Sequence, residues 1–409
     1  MESGIGKKLK VVWICHFTYE QIQAKLGIKK YIQEFSPWIY AGIEEAKKRE
    51  DIELHVISPH LWISRIKEFN EGNIFYHFFN SGVPFYGRPW PRFFRFGLYS
   101  NYILNRLSIG KIIKKIKPDI INLHGAENAY YSISILDFLK RPHLVTIAGY
   151  VYLEENLHKN SNQLKKRVQI EKKILKNCKY FSIHAVFMKT IAKQYNPEAK
   201  LFHQEFIYNT KNVIKNNTSL NKKYDIVYFA RITKTKGIED LISAVSLIKR
   251  EIPEISLLVI GNTSKTYLNY IKEKANSLGV LGNIKFIGFQ KTQEDVFKEA
   301  IKAKVSVLPT YNDTIPGTIV ESMLLKLPVI SYETGGIPDI KKENQDVIRL
   351  VKQGDIENLS KEIIFLIKNN EKRKEISEKA YSYAKAKWDN TKIFDKIVSD
   401  YYKIIKDYE

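Results

Sequence analysis

Two carboxylates, Asp313 and Glu321, stand eight positions apart in the stretch from Val305 to Ile340, VSVLPTYNDTIPGTIVESMLLKLPVISYETGGIPDI. Around them the pattern reads as an apolar strand, a polar loop, a short helix opened by Pro316, a second apolar strand and a loop at Gly335 and Gly336. A carboxylate is a poor partner for phosphate, but it accepts hydrogen bonds from a sugar diol. The start of the helix lies between the two acids. Its unpaired N–H groups and partial positive charge suit a diphosphate. Open α/β sheets hold ligands at the carboxyl ends of their strands, which is where this loop falls. The arrangement predicts a site for a nucleotide diphospho-sugar. The plain alternative is an ordinary βαβ unit with a surface Asp and Glu.

A second set of charges lies in Tyr228–Ile242, YFARITKTKGIEDLI. A strand ends at Ala230, Arg231 follows, and Lys236-Gly237 comes just before a helix. Arg offers a planar fork to phosphate oxygens and Lys a point charge. Five residues of spacing let one loop set both over one diphosphate. In glycosyl transfer the leaving diphosphate gains negative charge as the C–O bond breaks. Cations fixed there stabilise the transition state more than the ground state. The chain contains no Asp-x-Asp pair, which fits a metal-independent enzyme. The alternative is that both cations are solvated loop charges.

Together these segments resemble the retaining GT-B glycosyltransferases of family 4. Asp313 stands where that family usually has the first Glu of its E-x7-E signature, and Glu321 matches the second. Pro316 fits a common variant of the loop. Gly335 to Asp339, GGIPD, matches the G-G-x-P-[ED] turn, and Arg231 with Lys236 matches G-R-x-x-x-x-K-G with Ala230 in place of the Gly. The match is specific over residues 224–345 and architectural elsewhere. It implies that Glu321 binds the ribose hydroxyls and Asp313 the hydroxyls of the transferred sugar. Asp313 is one methylene shorter than the usual Glu, so the identity of the sugar does not carry over. The backbone N–H groups of Gly317 and Thr318 are expected to face sugar or phosphate, and Gly288-Phe289 to pass the base. In the first half, Asn122 to Gly125, NLHG, ends a strand, and His124 resembles the position of a His that approaches sugar and diphosphate. A structural histidine is the other reading of His124. His16 and His184, also at strand ends, read first as structural. Many relatives carry a Gly-Gly loop after the first strand. Here Phe17–Gly27, FTYEQIQAKLG, lacks it and reads as an acceptor loop, or as a sign that the second domain holds most of the donor. The resemblance further implies retention of anomeric configuration, the leaving phosphate helping to deprotonate the acceptor. No base is named, and no cofactor or metal is expected. The donor would be a UDP- or GDP-sugar. The acceptor would be a glycan or lipid-linked molecule of surface polysaccharide or glycolipid synthesis.

The elements that must position these residues form an alternating series. Strands are expected at Lys10–His16, Glu53–Ser58, Ile120–Leu123, Leu144–Ile147 and Tyr180–His184, then at Asp225–Ala230, Ser256–Ile260, Ile284–Ile287 and Val305–Leu308. Short apolar runs between helical patterns argue for parallel strands buried on both faces. At 409 residues the chain exceeds one ordinary domain. The expected fold is α/β, GT-B, two Rossmann-like domains facing each other across a cleft. Residues 1–208 would form the acceptor domain. The polar stretch 209–223 would be a linker, 224–385 the donor domain, and 386–409 a helix crossing back to the first domain, the last on family analogy.

Net charge is +22, of which residues 1–200 carry +15 with 32 Lys+Arg against 17 Asp+Glu. Such a balance suggests anionic substrates, an anionic membrane surface or nucleic acid. Part of it reads as genome bias towards Lys, Ile and Asn. The charge is spread over many helices and gathered in no known binding motif, which ranks nucleic acid low. Phe75–Tyr99, FYHFFNSGVPFYGRPWPRFFRFGLY, is crowded with aromatics and holds Arg88, Arg92 and Arg95 but no acid. That mixture suits a membrane interface or stacking on sugars or bases. The alternative is a hydrophobic helical hairpin packed under the first domain. Cys15 and Cys178 are the only cysteines, which suits a reducing compartment. No apolar run reaches the ~18 residues of a membrane span. A cytoplasmic protein, peripheral on the inner membrane face, is expected. Rival readings are a GT-B epimerase or phosphorylase, and an accessory GT-B protein without turnover. A phosphorylase would need pyridoxal phosphate, for which no lysine site is evident.

Overall fold

A computed structural model describes residues 8–28, 36–91, 94, 96–152, 161–208 and 222–409. By its contacts the chain divides into two units. One is Met1–Tyr208 with Asp389–Glu409, the other Asn209–Trp388.

In the first unit, apolar runs rich in Val, Ile and Phe make the strands β1 (Leu9–Ile14), β2 (Ile52–His60), β3 (Lys67–Glu71), β4 (Ile74–Asn80), β5 (Ile120–His124), β6 (His143–Thr146), β7 (Tyr180–Ile183) and β8 (Lys200–His203). They form one sheet in the order β3-β4-β2-β1-β5-β6-β7-β8. The order reverses between β1 and β5. Loops leaving these two neighbours diverge there, opening the sheet's carboxyl edge to a ligand. All pairings are parallel except β3 with β4. The expectation of parallel strands throughout is corrected at that edge. Glu71 and Ile74 close a hairpin over Gly72, whose φ of 59° suits a tight reversal. A second correction concerns Phe75–Tyr99. It is no helical hairpin: Phe75 to Asn80 belong to β4, where Tyr76, Phe78 and Phe79 are buried. A period of two, not 3.6, governs that run, and aromatics satisfy a pleated strand as well as a helix. Arg92 and Arg95 lie outside the described residues. Third, Phe17–Gly27 is not wholly a loop. Glu20–Leu26 is helical, stopped by Gly27 at φ 72°.

The terminal helix Asn390–Lys406 packs in this first unit against the helix Pro37–Ala46. Its Tyr401 hydroxyl takes hydrogen bonds from Trp13 Nε1 at 3.0 Å and Asn122 Nδ2 at 2.7 Å. Buried Asp400 is satisfied by Gln204, Lys396 and Lys403. A buried carboxylate requires such partners.

In the second unit, β9 (Tyr224–Phe229), β10 (Leu257–Ile260), β11 (Ile284–Gly288), β12 (Ala303–Leu308), β13 (Val329–Tyr332) and β14 (Arg349–Val351) form a parallel sheet in the order β11-β10-β9-β12-β13-β14. Its order reverses between β9 and β12. The helix Ile238–Ile248 buries Ile238, Leu241, Ile242, Val245 and Ile248, a stripe of helical period, and packs on Ile356–Lys368. Truncating one such residue, Leu241→Ala, is expected to cost about 2–5 kcal/mol. The stretch 209–221, most of the expected linker, lies outside the described residues. Among the described residues, no helix is long and apolar enough to cross a membrane.

Candidate active site

Four of the charged residues singled out by sequence lie in the second unit, on the segments that follow β9 and β12, and two of them, Lys236 and Asp313, are in contact. Arg231 and Lys236 come from the loop after β9. The Tyr228 hydroxyl bonds the Arg231 carbonyl at 2.8 Å and fixes the start of that loop. Lys236 ends a single 3₁₀ turn, Lys234–Lys236, and Gly237 follows with φ 75°. A side chain at 237 would be strained at that φ, and its Cβ would overlap the Pro309 carbonyl. The chain therefore passes directly beneath the end of β12 only with glycine there.

The loop after β12 lies against this turn. Tyr311 N–H donates to the Thr235 carbonyl at 2.8 Å, and Thr310 Oγ1 lies 3.2 Å from the same oxygen. Asp313 thereby reaches Lys236, and the two form an ion pair. Thr310 Oγ1 donates to the same carboxylate oxygen, Oδ2, at 2.9 Å. At Gly335, with φ 57°, a Cβ would overlap the Asp313 carbonyl, and Gly336 N–H donates to the Thr314 carbonyl at 2.7 Å. The Gly-Gly turn thus holds the Asp313 loop from the other side.

Pro316, at φ −65° and ψ 132°, precedes the helix Gly317–Leu324. The first N–H groups of any α-helix have no intrahelical acceptor. Those of Gly317 and Thr318 open at the strand ends, and Thr318 Oγ1 ties the helix start to the Phe229 carbonyl at 3.0 Å. Glu321 is one turn further on. Gln293, first residue of the helix Gln293–Ala300, donates to Glu321 Oε1 at 2.5 Å. Burial pushes the Glu321 carboxyl up to about 7, the Gln293 bond opposing it. Gly288 ends β11 at φ 71°, and Phe289 beyond it is 43% exposed. Next to Arg231 opens a cavity of ≈ 410 Å³, lined also by Lys234, Asn262, Ser264 and Tyr267.

The histidines sit in the first unit. His124 ends β5 with its ring 4.5 Å from that of Trp13. Burial pushes it down to about 3, so it is a neutral imidazole, and its Nε2 has no hydrogen-bond partner. His16, after β1, bonds the Tyr130 hydroxyl. His184 is buried against Phe206, ring centroids 4.3 Å apart.

Three residues here were not read from the sequence. Thr310 and Gln293 are neutral and carry no spacing signal. Glu127, in the loop after β5, is pushed up to about 7 by burial, and its Oε2 has no hydrogen-bond partner. An acid two residues beyond the β5 Gly is the only trace it leaves in the sequence.

The family profile described as glycosyl transferases group 1 matches residues 209–383. A glycosyltransferase of Methanocaldococcus jannaschii, itself uncharacterised, is 23% identical over 54% of this chain and 57% of its own length. The capsular polysaccharide biosynthesis glycosyltransferase CapM of Staphylococcus aureus is 27% identical over 49% of this chain and 52% of its own. The chain thus spans little more than half the length of these curated relatives. Among solved structures, sucrose-phosphate synthase from Thermosynechococcus elongatus superposes with a TM-score of 0.76 at 14% identity, covering 98% of this chain and 100% of that one. HepE of Anabaena, solved in complex with UDP and glucose, gives 0.66 at 16%, covering 96% and 99%. At these identities the superpositions speak for the fold. The chain carries the GT-B fold, and its residues 209–383 match the profile of the group 1 glycosyl transferases.

Proposed function

We propose that this protein transfers a sugar from a nucleotide diphospho-sugar to a glycan or lipid-linked acceptor, with retention and without a metal ion. The observation that carries the reading is the contact of Lys236 with Asp313 at the β9–β12 reversal, where the start of the Gly317 helix is tied to the end of β9 and Arg231 follows that strand, with Glu321 one turn into the helix. In this reading Arg231 and Lys236 take the diphosphate, and the N–H groups of Gly317 and Thr318 add to them. Glu321 accepts from the ribose hydroxyls, and Asp313 from those of the sugar. Gly288 and Phe289 pass the base, and neutral His124 offers Nε2 as a hydrogen-bonding atom. A UDP-sugar is the favoured donor, since HepE was solved with UDP and glucose. CapM, named for capsular polysaccharide biosynthesis, favours a surface glycan as product.

The decisive experiment is a thermal-shift panel of nucleoside diphosphates and nucleotide-sugars in EDTA. Binding raises the melting point by mass action. The expected result is a shift with one nucleotide that disappears in Glu321→Ala. A shift that needs a divalent ion would remove the metal-free part of the reading.

An anionic membrane is proposed as a second partner, on the cytoplasmic side, where buried, unpaired Cys15 and Cys178 suit a reducing compartment. Support comes from the first unit. Phe85, Tyr86 and Tyr99 are 80%, 66% and 84% exposed, and the Arg88 guanidinium lies 5.1 Å from the Tyr86 ring. The helix Ile103–Ile116 turns Ile103, Leu104 and Leu107 to solvent, followed on the same side by Lys111, Lys114 and Lys115. Apolar residues beside lysines suit an interfacial surface. Sedimentation with phosphatidylglycerol vesicles at low salt should carry the protein down. Protein left in the supernatant would end this part of the proposal.

A further inference from the structure

Asp313 and Lys236 are mutual partners, and their pairing has a consequence for how the site treats its ligands. The two side chains are only 18% and 16% exposed, so water screens them weakly. Both loops are fixed from behind: Gly237 and the Thr235 carbonyl set Lys236, while Gly335 and Gly336 set Asp313. The contact is therefore built into the backbone and is not a chance meeting of long side chains. A diphosphate arriving on Lys236 competes with this carboxylate for the same ammonium. A nucleoside diphosphate alone takes the cation and leaves a partly buried carboxylate with Thr310 as its remaining donor, which is unfavourable. An intact donor also brings sugar hydroxyls, which can donate to Asp313 where Lys236 had done so.

We propose that Asp313 acts as an internal counter-ion which the diphosphate must displace, so that the site favours an intact nucleotide-sugar over the spent nucleotide. This rests on the diphospho-sugar reading of the site. It makes Asp313 a specificity-determining residue and gives product release a push that does not depend on the acceptor.

Calorimetric titration of the full chain tests it with three probes: inorganic pyrophosphate, UDP and UDP-glucose. Asp313→Asn should bind pyrophosphate about tenfold more tightly, because apparent affinity is reduced by the fraction of Lys236 already engaged. The same variant should lose most of its preference for UDP-glucose over UDP. In a Lys236→Met background the pyrophosphate gain should vanish, since a double-mutant cycle isolates the pair. Equal pyrophosphate affinity in wild type and Asp313→Asn would overturn the inference. So would a gain that survives in the double variant, which would reveal a diffuse charge effect only. Glu321→Ala separates the two ideas. If it kept full UDP affinity, the donor-site reading would fall, while the pyrophosphate cycle would still report on the pair.

Discussion

Glu321 has a carboxyl held near 7 by burial, and the proposed ribose contact needs it ionised. A protonated acid has lost half of its accepting capacity. Nucleotide affinity should therefore fall as pH drops below about 7, by about tenfold per unit. In Glu321→Gln the affinity should be lower and flat with pH. Titration calorimetry from pH 5.5 to 8.5 gives the answer, and a sloping profile in the Gln variant would assign the titration elsewhere. Lys236 should behave differently. If its charge acts on the leaving group, Lys236→Ala should lower kcat by about a hundredfold or more and donor affinity much less. Wild-type turnover would refute the diphosphate assignment. Asp313, Glu321, Arg231 and Lys236 could be picked out in the chain because charged types stood beside Pro and Gly at set intervals. Thr310 and Gln293 could not. A neutral side chain becomes important only when folding brings it to a carboxylate, and Gln293 is 28 positions from Glu321. Glu127 was hidden for another reason: what sets it apart is burial, which its neighbours in sequence do not announce.

The loops that carry the site depend on two glycines. Gly237→Ala would add strain at φ 75° and drive a methyl into the Pro309 carbonyl. It should destabilise the fold by about 1–3 kcal/mol and weaken nucleotide binding in parallel, since Lys236 is the adjacent residue. Thermal melting with and without UDP measures both. A variant that melted and bound like wild type would show that β12 yields easily. The strands that flank the site, β9, β10 and β12, were visible as short Val, Ile and Leu runs, displaced by a residue or two at their ends. Others were not. β3 reads Lys-Glu-Phe-Asn-Glu, two-fifths acidic, and it forms because it pairs as an edge with β4. Edge strands need only one neighbour and tolerate charge. β8 is likewise an edge, with exposed Lys200 and His203 at its ends. The helix Glu20–Leu26 is a short element whose apolar residues are too few to show a period.

The folded protein as a body holds buried carboxyls whose protons stabilise it. Glu171 accepts N–H bonds from Val151 and Tyr152 at 2.9 Å each, yet burial pushes it up to about 8. Its folded pKa lies above the unfolded value, so its contribution is complete below pH 4.5 and is lost as pH rises through about 8. Unfolding free energy should decline between about pH 4.5 and 8, and Glu171→Gln should decline less. Urea denaturation at each pH resolves the difference, and identical slopes would show Glu171 already ionised. Chain length and the alternation of strand and helix patterns foretold two α/β units, and the return of the last helix was expected on family analogy alone. The residues themselves gave no sign of that return, since the partners of Tyr401, Trp13 and Asn122, stand 388 and 279 positions away.

That helix bears on how the protein is made. Residues Asn209–Trp388 interrupt the first unit in the chain, and Asp389–Glu409 is synthesised only after the whole of the second unit. While the ribosome works through the second unit, the first must wait with Trp13 Nε1, Asn122 and the Gln204 amide lacking their partners on the helix. The second unit can bury its own core as soon as it emerges. The later part of the gene thus encodes the earlier fold, and a nascent chain stalled before residue 389 should hold a native second unit beside an unfinished, chaperone-dependent first one.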